Sequence, residues 1–324
     1  MILPLRTLFL VTTTVIQTVT CWLEDQHAPP GQRIDIGGYH LHLWAKGQAG
    51  PTIILDHSLG GIEGYFLLDD LAKLGRACIY DRAGYGWSDH SPRPRTSEQI
   101  AMELNSLLQK AEIRPPYILI GNSFGSYNVR MYAHLYPQNV LGLVLTDGLH
   151  ETPMLAMGFR LRALKFLFVS GFVMSIFGSI LGLIRWLSIC GCFELLKPGL
   201  RRFSQQKRSW VKRSFCRPKH WITMSREMLS LDKSAQQLRL AKDLGALPIV
   251  NIKAGSFFRP SLATGMIPLR QANQLREEIH QKLRLLSTNC QQLEASRSDH
   301  FVWIDQPEII VDAVKKIIEA TASS

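Results

Sequence analysis

The stretch YILIGNSFGSYNVRMYAHLY, residues 117–136, decides how the rest of the chain is read. Tyr117 to Ile120 is an apolar run of strand length, Gly121-Asn122-Ser123-Phe124-Gly125 follows it, and residues 124–136 carry the spacing of an amphipathic helix. A GxSxG pentapeptide is common by chance, but between a strand and a helix it has a mechanical meaning. Gly121 and Gly125 permit a sharp turn that lifts a strained Ser123 above the sheet edge. There its hydroxyl can meet a base while backbone N–H groups face a developing negative oxygen. From this stretch alone a plainer reading stays open, in which Ser123 only caps the helix.

Outward from the elbow, strand and helix patterns alternate. RIDI and HLHLW, separated by Gly37-Gly38-Tyr39, read as a hairpin, and TIILD (52–56) and ACIYD (77–81) as buried strands. Thr96 and Gln99 have capping-box spacing ahead of a helix carrying Ile100, Leu104, Leu107 and Leu108. LGLVLTD (141–147), LPIVNIK (247–253) and NCQQLEA (289–295) read as further strands. A helix is expected near 268–286 and a closing one carries Ile310, Val314 and Ile317. Such alternation implies an α/β fold with a mostly parallel sheet covered on both faces.

Several motifs stand in a specific order: IILDHSLGG (53–61), DRAGYGWSD (81–89), GNSFG (121–125), LVLTDG (143–148), SDHF (298–301) and DQPEII (305–310). In that order they resemble the α/β-hydrolase superfamily, especially its bacterial serine hydrolases, over about residues 31–320 apart from an insertion. The resemblance implies a central sheet with helices on both faces and a helical cap inserted between core strands. The chain then divides into a hydrophobic segment (1–24), a first core part (25–150), a cap or lid (151–245) and a second core part (246–324). It also implies Ser123 as nucleophile and His300, in the loop after the last strand, as general base. The acid is less direct. The stretch Ala254 to Leu275, after the strand where the superfamily often keeps it, holds no Asp or Glu. Asp147, after the strand that follows the elbow, occupies the superfamily's other position, with Glu277 and Glu278 as helix-surface fallbacks. The oxyanion hole is expected from the N–H groups of Phe124 and Leu59. Ser58, Asn122 and Asp299 depart from the residues usual at their places. Tyr85 and Trp87 are expected to shape a loop beside the pocket, and Asp81, Arg82 and Asp89 to be structural.

Composition bounds the alternatives. The chain has 324 residues, 46% apolar and 19% charged, which suits a packed core. The formal charge of +11 is largely local: Lys197, Arg201, Arg202, Lys207, Arg208, Lys212, Arg213, Arg217 and Lys219 lie in a stretch without an acid. No nucleic-acid motif accompanies them, so a solvated basic face, or one meeting anionic membrane or substrate, is expected. The six cysteines lack metal or CxxC spacing and read as isolated thiols. No dinucleotide motif or metal-ligand spacing is present, and the implied chemistry needs no cofactor.

Residues 7–23 carry no charge, with Arg6 before them and Glu24 and Asp25 after. They read as a signal or anchor, placing the protein at a membrane or outside the cell, or as an ordinary core helix in a cytoplasmic one. Residues 166–184 are likewise uncharged. Because both flanks belong to one sheet, they are expected to form two shorter helices, broken near Ser170-Gly171 and Gly178-Ser179, that pack on the core or dip into one leaflet. The functional expectation is hydrolysis of a carboxylic ester or thioester with an apolar, lipid-like acyl part through an acyl-enzyme. The alternative is a catalytically silent relative that binds an apolar ligand or partner. Serine at the elbow, rather than aspartate, argues against dehalogenase or epoxide hydrolase chemistry.

Overall fold

The computed structural model describes residues 2–241, 243–257 and 269–322. An N-terminal helix α1 (Ile2–Asp25) precedes a hairpin of β1 (Gln32–Asp35) and β2 (His40–Lys46). Then come β3 (Thr52–Asp56), the short α2 (Leu68–Leu71), β4 (Arg76–Asp81), α3 (Ser97–Lys110), β5 (Tyr117–Asn122), α4 (Phe124–Leu135) and β6 (Val140–Thr146). Between β6 and the next core strand lie α5 (Glu151–Leu155), α6 (Phe159–Ile180), α7 (Leu183–Ile189), α8 (Cys192–Leu196), α9 (Gln205–Phe215) and α10 (Pro218–Leu238). The core resumes with β7 (Ile249–Ala254), α11 (Leu269–Leu283), β8 (Cys290–Ala295), α12 (Val302–Asp305) and α13 (Glu308–Ala322). Residue 268, where the helix before β8 was expected to begin, lies outside the described residues.

The strands form one sheet in the order β1-β2-β4-β3-β5-β6-β7-β8. The β1–β2 and β2–β4 pairs are antiparallel and the remaining pairs parallel. Side chains alternate between two cores, as strand geometry requires. Ile54, Leu119, Leu143 and Leu145 pack with α3 and α4 through Leu104 and Tyr127. Ile53, Leu55, Ile118, Ile120 and Val144 pack on the other face with Trp303, Ile310 and Val314. Thr96 stands at the N-cap position of α3 without a side-chain cap hydrogen bond, so the expected capping box is not formed. Gln99 turns toward Glu103, and the neighbouring Ser97 N–H donates to Ser234 Oγ on α10 at 3.0 Å.

Two expectations about the insertion need correction. The run 166–184 does divide between two helices, but not at Ser170-Gly171: α6 passes through Ser170, Gly171, Gly178 and Ser179 and ends at Ile180, and α7 begins at Leu183. The break comes at Gly182, whose φ of +75° suits glycine, and a Cβ there would lie 2.2 Å from the Thr13 carbonyl oxygen of α1. Most of the basic run is also not a solvated face, because tertiary contacts bring acids to it, while Arg201 and Arg202 stay exposed. Lys197 pairs with Asp299 and Asp305, Lys207 with Asp69, Arg208 and Lys212 with Glu194, and Arg213 and Arg217 with Asp25. All six cysteines are free thiols.

Candidate active site

Ser123 stands at the β5–α4 junction with φ +50° and ψ −111°, a strained backbone for a residue with a Cβ. The turn closes tightly around it. A Cβ on Gly121 would lie 2.6 Å from the Gly125 carbonyl oxygen, and one on Gly125 would lie 2.4 Å from that of Asp56. Both glycines are therefore required by close backbone approach. The Ser126 N–H and hydroxyl both donate to the Ser123 carbonyl, which fixes the first turn of α4.

The structure brings Ser123, His300 and Asp147 into one chain of hydrogen bonds. His300 Nε2 lies 3.0 Å from Ser123 Oγ, and His300 Nδ1 lies 2.6 Å from Asp147 Oδ2. Asp147 follows β6 with φ +39°, its own N–H donating to the Ile252 carbonyl of β7 at 2.7 Å. His300 sits between β8 and α12, and its ring lies beside those of Phe257 and Phe301. Glu277, one fallback acid, is exposed and pairs with Lys253.

Asp147 is more heavily engaged than the sequence suggested. Its Oδ1 accepts from the Ala254 N–H at 3.1 Å and from Arg276 Nε at 3.0 Å, and it lies 3.1 Å from His280 Nε2. Burial pushes this carboxyl up, but hydrogen bonds from His280 and His300, with the charges of His300 and Arg276, outweigh it and hold it well below the usual carboxylate range. The sequence points to His300 alone among the histidines, and the structure adds His280 beside the candidate acid. Arg276 and His280 share the buried stripe of α11 with Ala272, Ile279 and Leu283. An Arg and a His at i, i+4 on an otherwise apolar face was the signal available.

The loop after β3 lies against the elbow. Glu63, nearly buried, accepts from Asn122 Nδ2 at 2.6 Å and from the Ser58 N–H at 3.2 Å. Two of the residues that depart from the usual pattern are thus tied together by one carboxylate. The third, Asp299, accepts from Lys197 Nζ of the insertion and from the Phe301 N–H. With the Ser58 N–H committed, Leu59 is the next residue in the loop, and Phe124 begins α4, where the first N–H groups have no helical acceptor. His57 is fully buried. Its Nδ1 accepts from the Gly64 N–H at 3.1 Å, and burial pushes its pKa down, so the ring stays neutral.

The DRAGYGWSD stretch joins this loop to the insertion. Arg82 is buried and donates to Asp56 Oδ1 at 2.7 Å and to the carbonyls of His57 and Ser58. It also makes a two-pronged pair with Glu227 of α10 at 2.8 and 2.9 Å, and Tyr85 Oη donates to the same carboxylate. Asp81 accepts from Tyr65 Oη and the Trp87 N–H, while Asp89 accepts from the His40 N–H. Glu227, far away in sequence, was not foreseen.

Residues 51–169 match the family model for the alpha/beta hydrolase fold. The chain is an α/β-hydrolase-fold protein. Among its relatives is the uncharacterized protein YqjL of Bacillus subtilis, 31% identical over 40% of this chain and 49% of that one. Another is an AB hydrolase superfamily protein of Gibberella zeae, 22% identical over 75% of this chain and 78% of that one. The chain spans less than half the length of the first curated relatives it matches, 49% of YqjL and 37% of YbdG, also from Bacillus subtilis. Among solved structures, epoxide hydrolase CorEH superposes with a TM-score of 0.61 at 17% identity, over 89% of this chain and 98% of that one. At that identity the likeness speaks for the shared α/β-hydrolase fold alone.

Proposed function

We propose that this chain is a serine hydrolase that cleaves a carboxylic ester or thioester with an apolar acyl group. The reading rests on one observation above the others: the continuous path Ser123 Oγ, His300 Nε2, His300 Nδ1, Asp147 Oδ2, with gaps of 3.0 and 2.6 Å. In the proposed cycle Ser123 Oγ attacks the acyl carbonyl carbon as His300 Nε2 takes its proton. Asp147 holds the imidazole in the required tautomer and stabilises the imidazolium. The oxyanion forms toward the N–H groups of Phe124 and Leu59. Collapse breaks the bond to the alcohol or thiol, which leaves with the proton from His300. Water, deprotonated by the same nitrogen, then attacks the acyl-serine and returns the serine hydroxyl with release of the acid. Met224 over Gly60, and Phe257 and Phe301 beside His300, favour an apolar acyl chain.

A fluorophosphonate probe tests the nucleophile and an ester series of increasing acyl length tests the pocket. Label on Ser123 in the intact chain, lost on Ser123→Ala, is expected. A folded protein that takes no label supports the alternative of a silent, ligand-binding relative.

A further inference from the structure

Helix α1 is built inside out. Its buried residues are polar, Thr13 and Gln17, whereas Leu8, Val11, Val15, Ile16, Val19, Trp22 and Leu23 are exposed, Trp22 by 62%. The inward stripe is fully engaged by the insertion. Thr13 Oγ1 donates to the Leu181 carbonyl at 2.7 Å, and Gln17 Nε2 donates to the Cys216 carbonyl at 2.7 Å. Arg185 Nε donates to Gln17 Oε1, and its guanidinium pairs with Glu24 at 2.6 Å, while Arg217 reaches both Glu24 and Asp25. A helix in water turns its apolar side in. This one does the reverse, along contacts that run from Phe9 against Trp186 to Asp25 against Arg213.

Helix α6 is apolar on both sides. Phe168, Phe172 and Ile176 are half-buried, and Phe166, Leu167, Met174, Phe177 and Ile180 are exposed, Met174 by 70%. Lys165 pairs with Asp232 and Phe172 packs on Trp221, so α6 runs antiparallel along α10 and cannot leave the body of the protein to cross a bilayer. Both helices have the length and composition of a membrane span, Leu5–Asp25 and Arg162–Ile180, with only 11% and 6% of their apolar windows buried. Hydroxyls on the exposed side close on their own helix: Thr12 on Leu8, Thr14 on Leu10, Thr18 on Thr14, Ser170 on Phe166 and Ser175 on Gly171, all at 2.8–3.0 Å. That arrangement suits a solvent that offers no hydrogen bonds.

We propose that α1 stays part of the folded protein and that α1, α6 and α7 together form one surface embedded in a single bilayer leaflet. Inverted burial on α1, the exposed apolar side of α6, and hydroxyls satisfied without an outside partner favour lipid over a second protein as the occupant. Arg185, Arg213 and Arg217 are spent on Glu24 and Asp25, and much of the basic run on other internal carboxylates. Apolar burial therefore carries the binding, and anionic headgroups contribute little.

The test uses the full chain in phosphatidylcholine vesicles doped with a phosphatidylcholine bearing a diazirine on its acyl chain. Photolysis should place adducts on outward residues of both α1 and α6, and binding should survive high salt and gain little from anionic lipid. A double variant, Val15→Asp with Met174→Asp, should lower the bound fraction by about tenfold or more, while circular dichroism stays that of the parent. Adducts confined to one helix overturn the joint surface. Membrane-bound protein whose chain starts after Asp25 overturns the retention of α1. Cross-links between copies through these faces, without lipid adducts, assign the surface to self-association instead.

Discussion

His280 Nε2 lies 3.1 Å from Asp147 Oδ1, the carboxylate oxygen that His300 does not use. The other nitrogen of His280 faces Asn251 Oδ1 at 3.0 Å, and Arg276, one turn earlier on α11, donates to the same Asp147 oxygen. The carboxylate is thus held from two sides. One side carries the imidazole that touches Ser123, and the other a pair of helix residues that fix its orientation and temper its charge.

Arg276→Gln should lower kcat by about tenfold, because Asp147 loses the Nε hydrogen bond and the neighbouring charge that help hold its carboxylate toward His300. Turnover of a soluble ester, measured beside thermal melting, checks this. Unchanged turnover in a less stable protein would leave Arg276 only a packing role.

Ser123→Ala should lower kcat by about 10⁴-fold or more while leaving the fold intact. Alanine keeps the Cβ, so the strained φ of +50° is unchanged and only the hydroxyl that meets His300 is lost. Turnover and thermal melting, measured side by side, separate chemistry from stability. Undiminished turnover would place the nucleophile elsewhere.

Asp147→Asn should lower kcat by about 10⁴-fold, whereas Glu277→Gln, at an exposed pair with Lys253, should leave it within about twofold of the parent. The same substitution should alter acid stability. The folded-state pKa of Asp147 lies below its unfolded value, so its contribution is complete above about pH 4 and is lost as pH falls further. Melting curves of the parent should therefore drop more steeply below about pH 4 than those of Asp147→Asn. Parallel curves would remove Asp147 from the acid transition.

Glu227→Ala should destabilise the protein by about 3–5 kcal/mol, because it leaves the Arg82 guanidinium buried with only Asp56 to balance it. Arg82 also holds the carbonyls of His57 and Ser58, so kcat should fall even in molecules that remain folded. Urea denaturation gives the first quantity and turnover per probe-labelled site the second. A loss under about 1 kcal/mol would show that the pair is nearly neutral.

The elbow, the strand–helix alternation and the Ser–Asp–His order could be read along the chain because each depends on spacing within one element or on the order of elements. Gly121 and Gly125 flank Ser123 within a single turn, and the continuous apolar runs of β3 and β5 announce strands buried on both faces. Asp147 follows from the resemblance, as the superfamily's other acid position, once the stretch after β7 proves to hold no acid before α11. The reading went astray where a residue's partner comes from a distant element. Gly-Ser pairs suggested a break in α6, but the helix yields at Gly182, where α1 crosses it.

What the sequence by itself determined is the sheet and its cover of helices, whereas the candidate site residues after β5, β6 and β8 are placed by the resemblance to the α/β-hydrolases. Local periodicity and close glycine packing leave few other solutions. Only the tertiary structure decided who surrounds them. Arg276 and His280 reach Asp147 from across the sheet, Glu227 reaches Arg82 from the insertion, and Gln17 and Glu24 meet Arg185 from the opposite end of the chain. A buried charge needs a counter-charge and a buried polar group needs a partner, but neither rule says where along the chain that partner lies. For α1 the pattern of letters was that of any apolar helix. Its direction was set by which face carried groups that Arg185 and the Leu181 and Cys216 carbonyls could satisfy.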